Sequence, residues 1–138
     1  MTLSIAPRLL QAVVLAGTLV APVVHAQSAT VTPEVVARGL QNPWGLAFIG
    51  EGRMLVTERP GRMRVIGADG RVGEALSGVP KVDAVGQGGL LDVIADRDFA
   101  RNRTVHFCYA EPAATGSGNS TALASARLAP DAKALENV

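Results

Sequence analysis

Gln87 stands as a lone polar side chain among glycines: Gly86-Gln87-Gly88-Gly89 opens directly into the apolar run Leu90-Leu91-Asp92-Val93. Glycine takes backbone conformations closed to other residues and lets a flat ligand come close to the main chain. Glutamine brings an amide donor and a carbonyl acceptor without a charge. At a strand entrance it can grip a polar ligand without the desolvation cost of an ion. On spacing alone the plainer reading has the stronger claim: a glycine turn whose glutamine caps loose backbone groups. A phosphate loop fits poorly, because the glycines lead into a strand rather than a helix and no lysine follows.

The remaining candidates are weaker. His106 is the one histidine outside the N-terminal leader, and a single imidazole without sequence partners supports neither a metal site nor a triad. Asp96 and Asp98 have the spacing of calcium-loop carboxylates, but the rest of such a loop is missing, so turn capping is the expected role. Cys108 reads as a small buried apolar residue, since nothing near it in sequence would lower its pKa. Glu58 and Arg59 end an apolar strand, where a salt-bridged turn is expected, with a place near a channel mouth as the alternative. Asn102-Arg103-Thr104 and Asn119-Ser120-Thr121 match the glycan-acceptor pattern, which would be coincidental in a bacterial protein.

The elements that must position these residues are short strands. Glu34 to Arg38, Trp44 to Ile49, Met54 to Glu58, Met63 to Ile66 and Arg71 to Leu76 are separated by Asn-Pro, Gly-Glu-Gly, Pro-Gly and Asp-Gly turns. Strands recurring at roughly 8–12 residue intervals point to an all-β sandwich, barrel or propeller. Leu90 to Ala95, the run around Val105 to Ala110, and Thr121 to Leu128 continue the series, with Ala113 to Ser120 as an exposed loop. No segment has a sustained 3.6-residue apolar period over a helical length. The echo between Gly52-Arg53-Met54-Leu55-Val56 and Gly61-Arg62-Met63-Arg64-Val65 reads as two adjacent antiparallel strands. In Trp44 to Ile49 one face carries Trp44, Leu46 and Phe48, and the other Gly45, Ala47 and Ile49. Both faces are apolar, which favours stacked sheets over a sandwich with a wet side.

Residues 1–26 read as a secretory signal peptide. Arg8 is their only charge, Leu9 to Val24 is an apolar run, and Val24-His25-Ala26 suits cleavage before Gln27. The run is shorter than the roughly 20 residues that span a bilayer and is interrupted by Pro22, so no membrane span is expected after cleavage. Of the 13 basic residues Arg8 leaves with the leader, which balances the rest against the 12 acidic ones. That neutrality gives no electrostatic case for nucleic acid or an anionic membrane surface. One cysteine excludes an internal disulfide framework and a cysteine-rich metal site.

Three segments taken in order carry a resemblance: Asn42-Pro43-Trp44-Gly45-Leu46-Ala47-Phe48, Leu55 to Arg62, and Gly86 to Val93. Asp98-Phe99, Asn102-Arg103 and Tyr109-Ala110-Glu111-Pro112 extend it. The series resembles the opening of the pyrroloquinoline-quinone (PQQ)-dependent soluble aldose sugar dehydrogenases, the glucose/sorbosone dehydrogenase family. The resemblance implies a six-bladed β-propeller, of which residues 27–138 would be a truncated N-terminal part of about one to two blades. It implies PQQ and calcium as cofactors and an aldose sugar as substrate, oxidised at the anomeric carbon with hydride passing to PQQ. It makes Gln87 a cofactor-binding residue. The family's catalytic histidine, calcium ligands and basic PQQ contacts would lie beyond Val138, so no catalytic residue and no metal ligand is expected within these residues. A periplasmic or secreted location follows from the leader, and the electron acceptor stays open.

Two other readings stand beside this one: a non-catalytic secreted propeller that binds or interacts, and a truncated product without activity. A propeller needs blade-to-blade packing and ring closure to cover its faces and edges. The chain by itself is therefore expected to be poorly soluble or partly ordered, and inactive.

Overall fold

In the computed structural model the described residues are 31–138, and Glu34–Val138 form one compact unit. The predicted signal peptide lies outside the described residues. Eight strands follow in order: β1 (Pro43–Phe48), β2 (Met54–Glu58), β3 (Arg62–Ile66), β4 (Val72–Ala75), β5 (Leu90–Ala95), β6 (Thr104–Pro112), β7 (Asn119–Leu128) and β8 (Leu135–Glu136). They form two four-stranded antiparallel sheets, β1-β2-β3-β4 and β5-β6-β7-β8, with spatial order equal to chain order. The all-β expectation holds. The echoed segments are indeed neighbours, with Met54 opposite Ile66 and Glu58 opposite Arg62.

Local chemistry explains the turns. Gly50, Glu51 and Gly52 all have positive φ, at 84°, 53° and 70°, and Arg53 N–H donates to Gly50 O at 2.9 Å, closing the hairpin between β1 and β2. Asp69 Oδ1 accepts from Arg71 N–H at 3.0 Å at the next-but-one turn, an Asp-Gly bend. The helical content of the described residues is a single turn, α1 (Phe99–Asn102). It ends at Arg103 in the left-handed region, and the Arg103 guanidinium donates to Leu128 O and Ala129 O at 2.8 and 2.7 Å.

Each sheet gives one face to a shared core. Ala47, Ile49, Leu55 and Met63 of the first meet Leu90, Val93, Phe107 and Leu128 of the second. Burying side chains of this size is worth about 1.5–3 kcal/mol each. The sheets approach closely at Gly45, where a Cβ would stand 2.9 Å from the Asp92 Cα and the Val93 amide nitrogen. Thr57, fully buried, ties the seam: its hydroxyl accepts from Gly45 N–H at 2.8 Å and donates to Leu91 O at 2.5 Å.

The outer faces are apolar as well. Trp44, Leu46 and Phe48 alternate with the seam residues and are 55%, 49% and 75% exposed, and Ile94 and Leu123 are 58% and 80% exposed. The small face of β1 is therefore the sealed one and the bulky face the open one. One expected strand is absent: Glu34 to Arg38 has no ladder, and Val35 and Val36 are exposed. Two adjacent β-branched residues favour extension, but a strand needs a partner edge, and β1 is hydrogen-bonded on its β2 side alone.

Candidate functional site

Gln87 lies, exposed, in the turn that delivers the chain from the first sheet into β5. Gly88 N–H donates to Val85 O at 3.0 Å, and Val85 N–H donates to Asp83 Oδ1 at 3.0 Å. Glycine is needed at position 89, where φ is 135° and a Cβ would fall 2.3 Å from Arg59 O. At Gly86 the space a Cβ would take is open.

Arg59 organises this turn. Its Nη1 donates to three carbonyls, Ala84 O at 3.0 Å, Gly86 O at 2.9 Å and Gly88 O at 2.9 Å. Its main chain is equally engaged: the N–H donates to Asn42 O at 3.0 Å, and the carbonyl accepts from Leu90 N–H at 2.9 Å. The other side of the turn is tied to the second sheet. Asp83 N–H donates to Ala110 O at 2.9 Å, Ala110 N–H donates to Gly89 O at 2.8 Å, and Asn119 Nδ2 donates to Asp83 Oδ2 at 2.9 Å. The Asn119 hydrogen bond, with that from Val85 N–H, holds the Asp83 carboxyl below its ordinary pKa.

The expected salt-bridged turn at Glu58 and Arg59 is present, but Arg59 takes no part in it: the ion pair across the turn joins Glu58 to Arg62. Glu58 does form ion pairs, with Arg62 Nε at 2.7 Å and Arg64 Nε at 3.0 Å, whereas Arg59 takes the turn carbonyls. Gln41 N–H donates to the other Glu58 oxygen. The Glu58 carboxylate is fully buried. Burial alone pushes its pKa up, but the Gln41, Arg64 and Arg62 hydrogen bonds outweigh it and hold the group below the ordinary carboxylate value.

His106 has partners that its sequence neighbourhood does not reveal. Cross-strand pairing places Ile94, His106 and Ser125 side by side. His106 Nδ1 lies 3.0 Å from Ser125 Oγ, and Nε2 lies 3.3 Å from Asp96 Oδ2. Asp96 Oδ1 also accepts from Asn102 Nδ2 and Asp98 N–H, both at 2.8 Å, so Asp96 does cap its turn, and these bonds, Asn102 first, lower its pKa. The Ser-His-Asp row lies on the open outer face of the second sheet, with Ser125 exposed and His106 and Asp96 about one-third exposed. Cys108, on the same outer face, is half-buried rather than buried. Among the described residues no group of three or more His, Cys, Asp or Glu could hold a metal ion.

Sequence reasoning marked Arg59 as a charge at a strand end and missed its hold on the carbonyls of the Gln87 turn. The one signal available to it was the coupling of an arginine at a strand end to a glycine-rich strand entrance some 25–29 residues later.

The folded unit is thus an all-β protein of paired four-stranded meanders, with a pinned, glutamine-bearing turn joining them. Residues 40–138 match the family described as Glucose / Sorbosone dehydrogenase, and the chain belongs to that family. It is 43% identical over 107 residues to the aldose sugar dehydrogenase YliI of Escherichia coli K12, a match covering 77% of this chain and 29% of that protein. The solved structure of the soluble aldose sugar dehydrogenase of E. coli in its apo-form superposes with a TM-score of 0.70 at 40% identity, covering 75% of this chain and 30% of that one. The PQQ-bound aldose sugar dehydrogenase of Streptomyces coelicolor superposes with a TM-score of 0.62 at 28% identity, with the same coverages of 75% and 30%. The chain spans under a third of the length of these relatives.

Proposed function

We propose that this chain is part of a PQQ-dependent aldose sugar dehydrogenase and that Gln87 is its contribution to the cofactor site. The observation that carries the reading is the Gln87 turn itself, exposed at its tip and pinned to both sheets by Arg59 and Asp83. It occurs in a family whose Streptomyces coelicolor relative has been solved with PQQ bound. The two sheets then correspond to two blades of a six-bladed propeller. Their apolar outer faces suit stacking against further blades.

The residues present fit such a cofactor. The neutral Gln87 amide offers both a donor and an acceptor, and the open space at Gly86 leaves a flat ring system room beside the main chain. Bound PQQ supplies the hydride acceptor, and the protein's part is to orient it and exclude competing reactions. Gln87 holds its polar edge without adding a charge to the site. Calcium and the proton-accepting histidine come, in this reading, from segments other than residues 31–138. His106 is set aside because it lies on the outer face of the second sheet, bonded to Ser125 and Asp96. The substrate is an aldose sugar, and the leader directs the protein to the periplasm or outside the cell.

The reading is tested with the complete gene product, loaded with PQQ and calcium and assayed by dye reduction with a panel of aldoses. Dye reduction that requires both PQQ and sugar is expected. Its absence in a folded, PQQ-saturated protein would favour a non-catalytic propeller that kept the scaffold for binding.

A further inference from the structure

Three carbonyl oxygens converge on one nitrogen at Arg59: Ala84 O, Gly86 O and Gly88 O, all within 3.0 Å of Nη1. Carbonyl dipoles pointed at a common centre repel one another unless a cation sits there, and a charged donor makes the stronger hydrogen bond. The bends at Gly86, with φ of 59°, and Gly89, with φ of 135°, turn these alternate carbonyls inward. The peptide bonds are trans, so each inward carbonyl sends the following N–H outward. At the tip, the Gly86 carbonyl faces Arg59 and the Gln87 N–H therefore points away from it. Among the described residues that N–H has no acceptor. The turn thus shows its acceptors to the arginine and a free main-chain donor, beside the Gln87 amide, to the outside.

Arg59 is built into both sheets. Its N–H is bonded to Asn42 O, ahead of β1, and its carbonyl receives the first N–H of β5. The close approach is possible because residue 89 has no Cβ.

We propose that Arg59 is the positioning residue of the Gln87 turn, its one guanidinium nitrogen gathering the turn carbonyls so that the Gln87 side chain and N–H together face the ligand. The ligand half of this statement rests on the reading of Gln87 given above; the clamp does not. Holding the turn before binding removes the cost of ordering it at the moment of binding.

The test uses the complete gene product, first without cofactor, by hydrogen exchange of the segment 84–89. In Arg59→Met the amides of Val85 and Gly88 exchange about ten- to a hundred-fold faster, as losing bonds to a charged donor implies. The β2 and β5 amides keep their protection. PQQ affinity, followed by quenching of protein fluorescence, weakens over a similar range. Arg59→Lys recovers part of both, since an ammonium has three N–H groups for three carbonyls but a shorter reach. Unchanged exchange in 84–89, or a rise no greater there than in β2 and β5, overturns the proposal. Should Arg59→Met not fold, Arg59→Lys decides. A turn looser than wild type over intact strands supports the clamp, and a turn as protected as wild type, or loosened along with the strands, refutes it. A loosened turn with unchanged PQQ affinity refutes the ligand role of Gln87 instead, so the two readings fail separately.

Discussion

Two groups of polar side chains sit on opposite sides of the second sheet's neighbourhood, and they look equally purposeful. At the end of the seam, Thr57 and Glu58 close β2 and Arg59 opens the turn after it, and each reaches a different set of partners. On the outer face, Asp96, just past β5, lines up with His106 of β6 and Ser125 of β7 in the order of a catalytic triad. In the first group Glu58 and Thr57 have no solvent access, and Thr57 and Arg59 reach across to the chain of the second sheet and its entrance while Glu58 pairs within the first sheet. The second is open to water and belongs to one sheet. Water competes for every hydrogen bond in the outer row and screens its charges, whereas Thr57 and Glu58 have no such alternative. Residue types alone would rank the outer row as the active site, while enclosure and connection to a shaped turn rank the seam group first.

The largest effect that sharpens this contrast is expected for Glu58→Ala. It leaves Arg62, Arg64 and the Gln41 N–H without their shared carboxylate and costs about 3 kcal/mol. Arg62 and Arg64 retain some access to water, which keeps the figure at the low end for a buried pair. Urea denaturation of the complete gene product measures it. The same group makes a pH prediction. Because its folded pKa is depressed, Glu58 adds stability above the ordinary carboxylate value of 4.5 and loses it as pH falls through the lowered folded value. Acid unfolding curves should therefore show a loss of stability below about pH 4.5 that Glu58→Gln flattens.

Thr57→Val comes next. It strips the Gly45 N–H of its acceptor inside the seam and should cost about 1–3 kcal/mol in the same denaturation series. The smallest effect is expected on the outer face, where His106→Asn should shift stability by less than about 0.5 kcal/mol. A loss at His106 as large as at Glu58 would break the comparison.

Much of this architecture is legible in the residues. Met54–Glu58 and Leu90–Ala95 are strands with the bounds that their flanking turns imply, because Gly-Glu-Gly and the glycines before Leu90 punctuate the chain sharply. The apolar character of both faces of β1 announces stacked sheets. Which face meets the neighbouring sheet is not readable from hydropathy, since it is set by how closely Gly45 lets the backbones approach. Glu34 to Arg38 misleads for a related reason: propensity supplies extension but not a partner edge. Gln87 is conspicuous as an uncharged side chain among glycines. Its holder Arg59 is not, because its partners are main-chain carbonyls and every residue has one. The His106 row is invisible for yet another reason, since it depends on the register of three strands rather than on any local spacing.

The measurement that bears most directly on the central claim is a PQQ titration of the complete gene product, comparing wild type with Gln87→Ala and His106→Asn. The account predicts a Kd at least about tenfold weaker for Gln87→Ala, the cost of one buried polar contact, and an unchanged Kd for His106→Asn. Equal affinity in wild type and Gln87→Ala would contradict it.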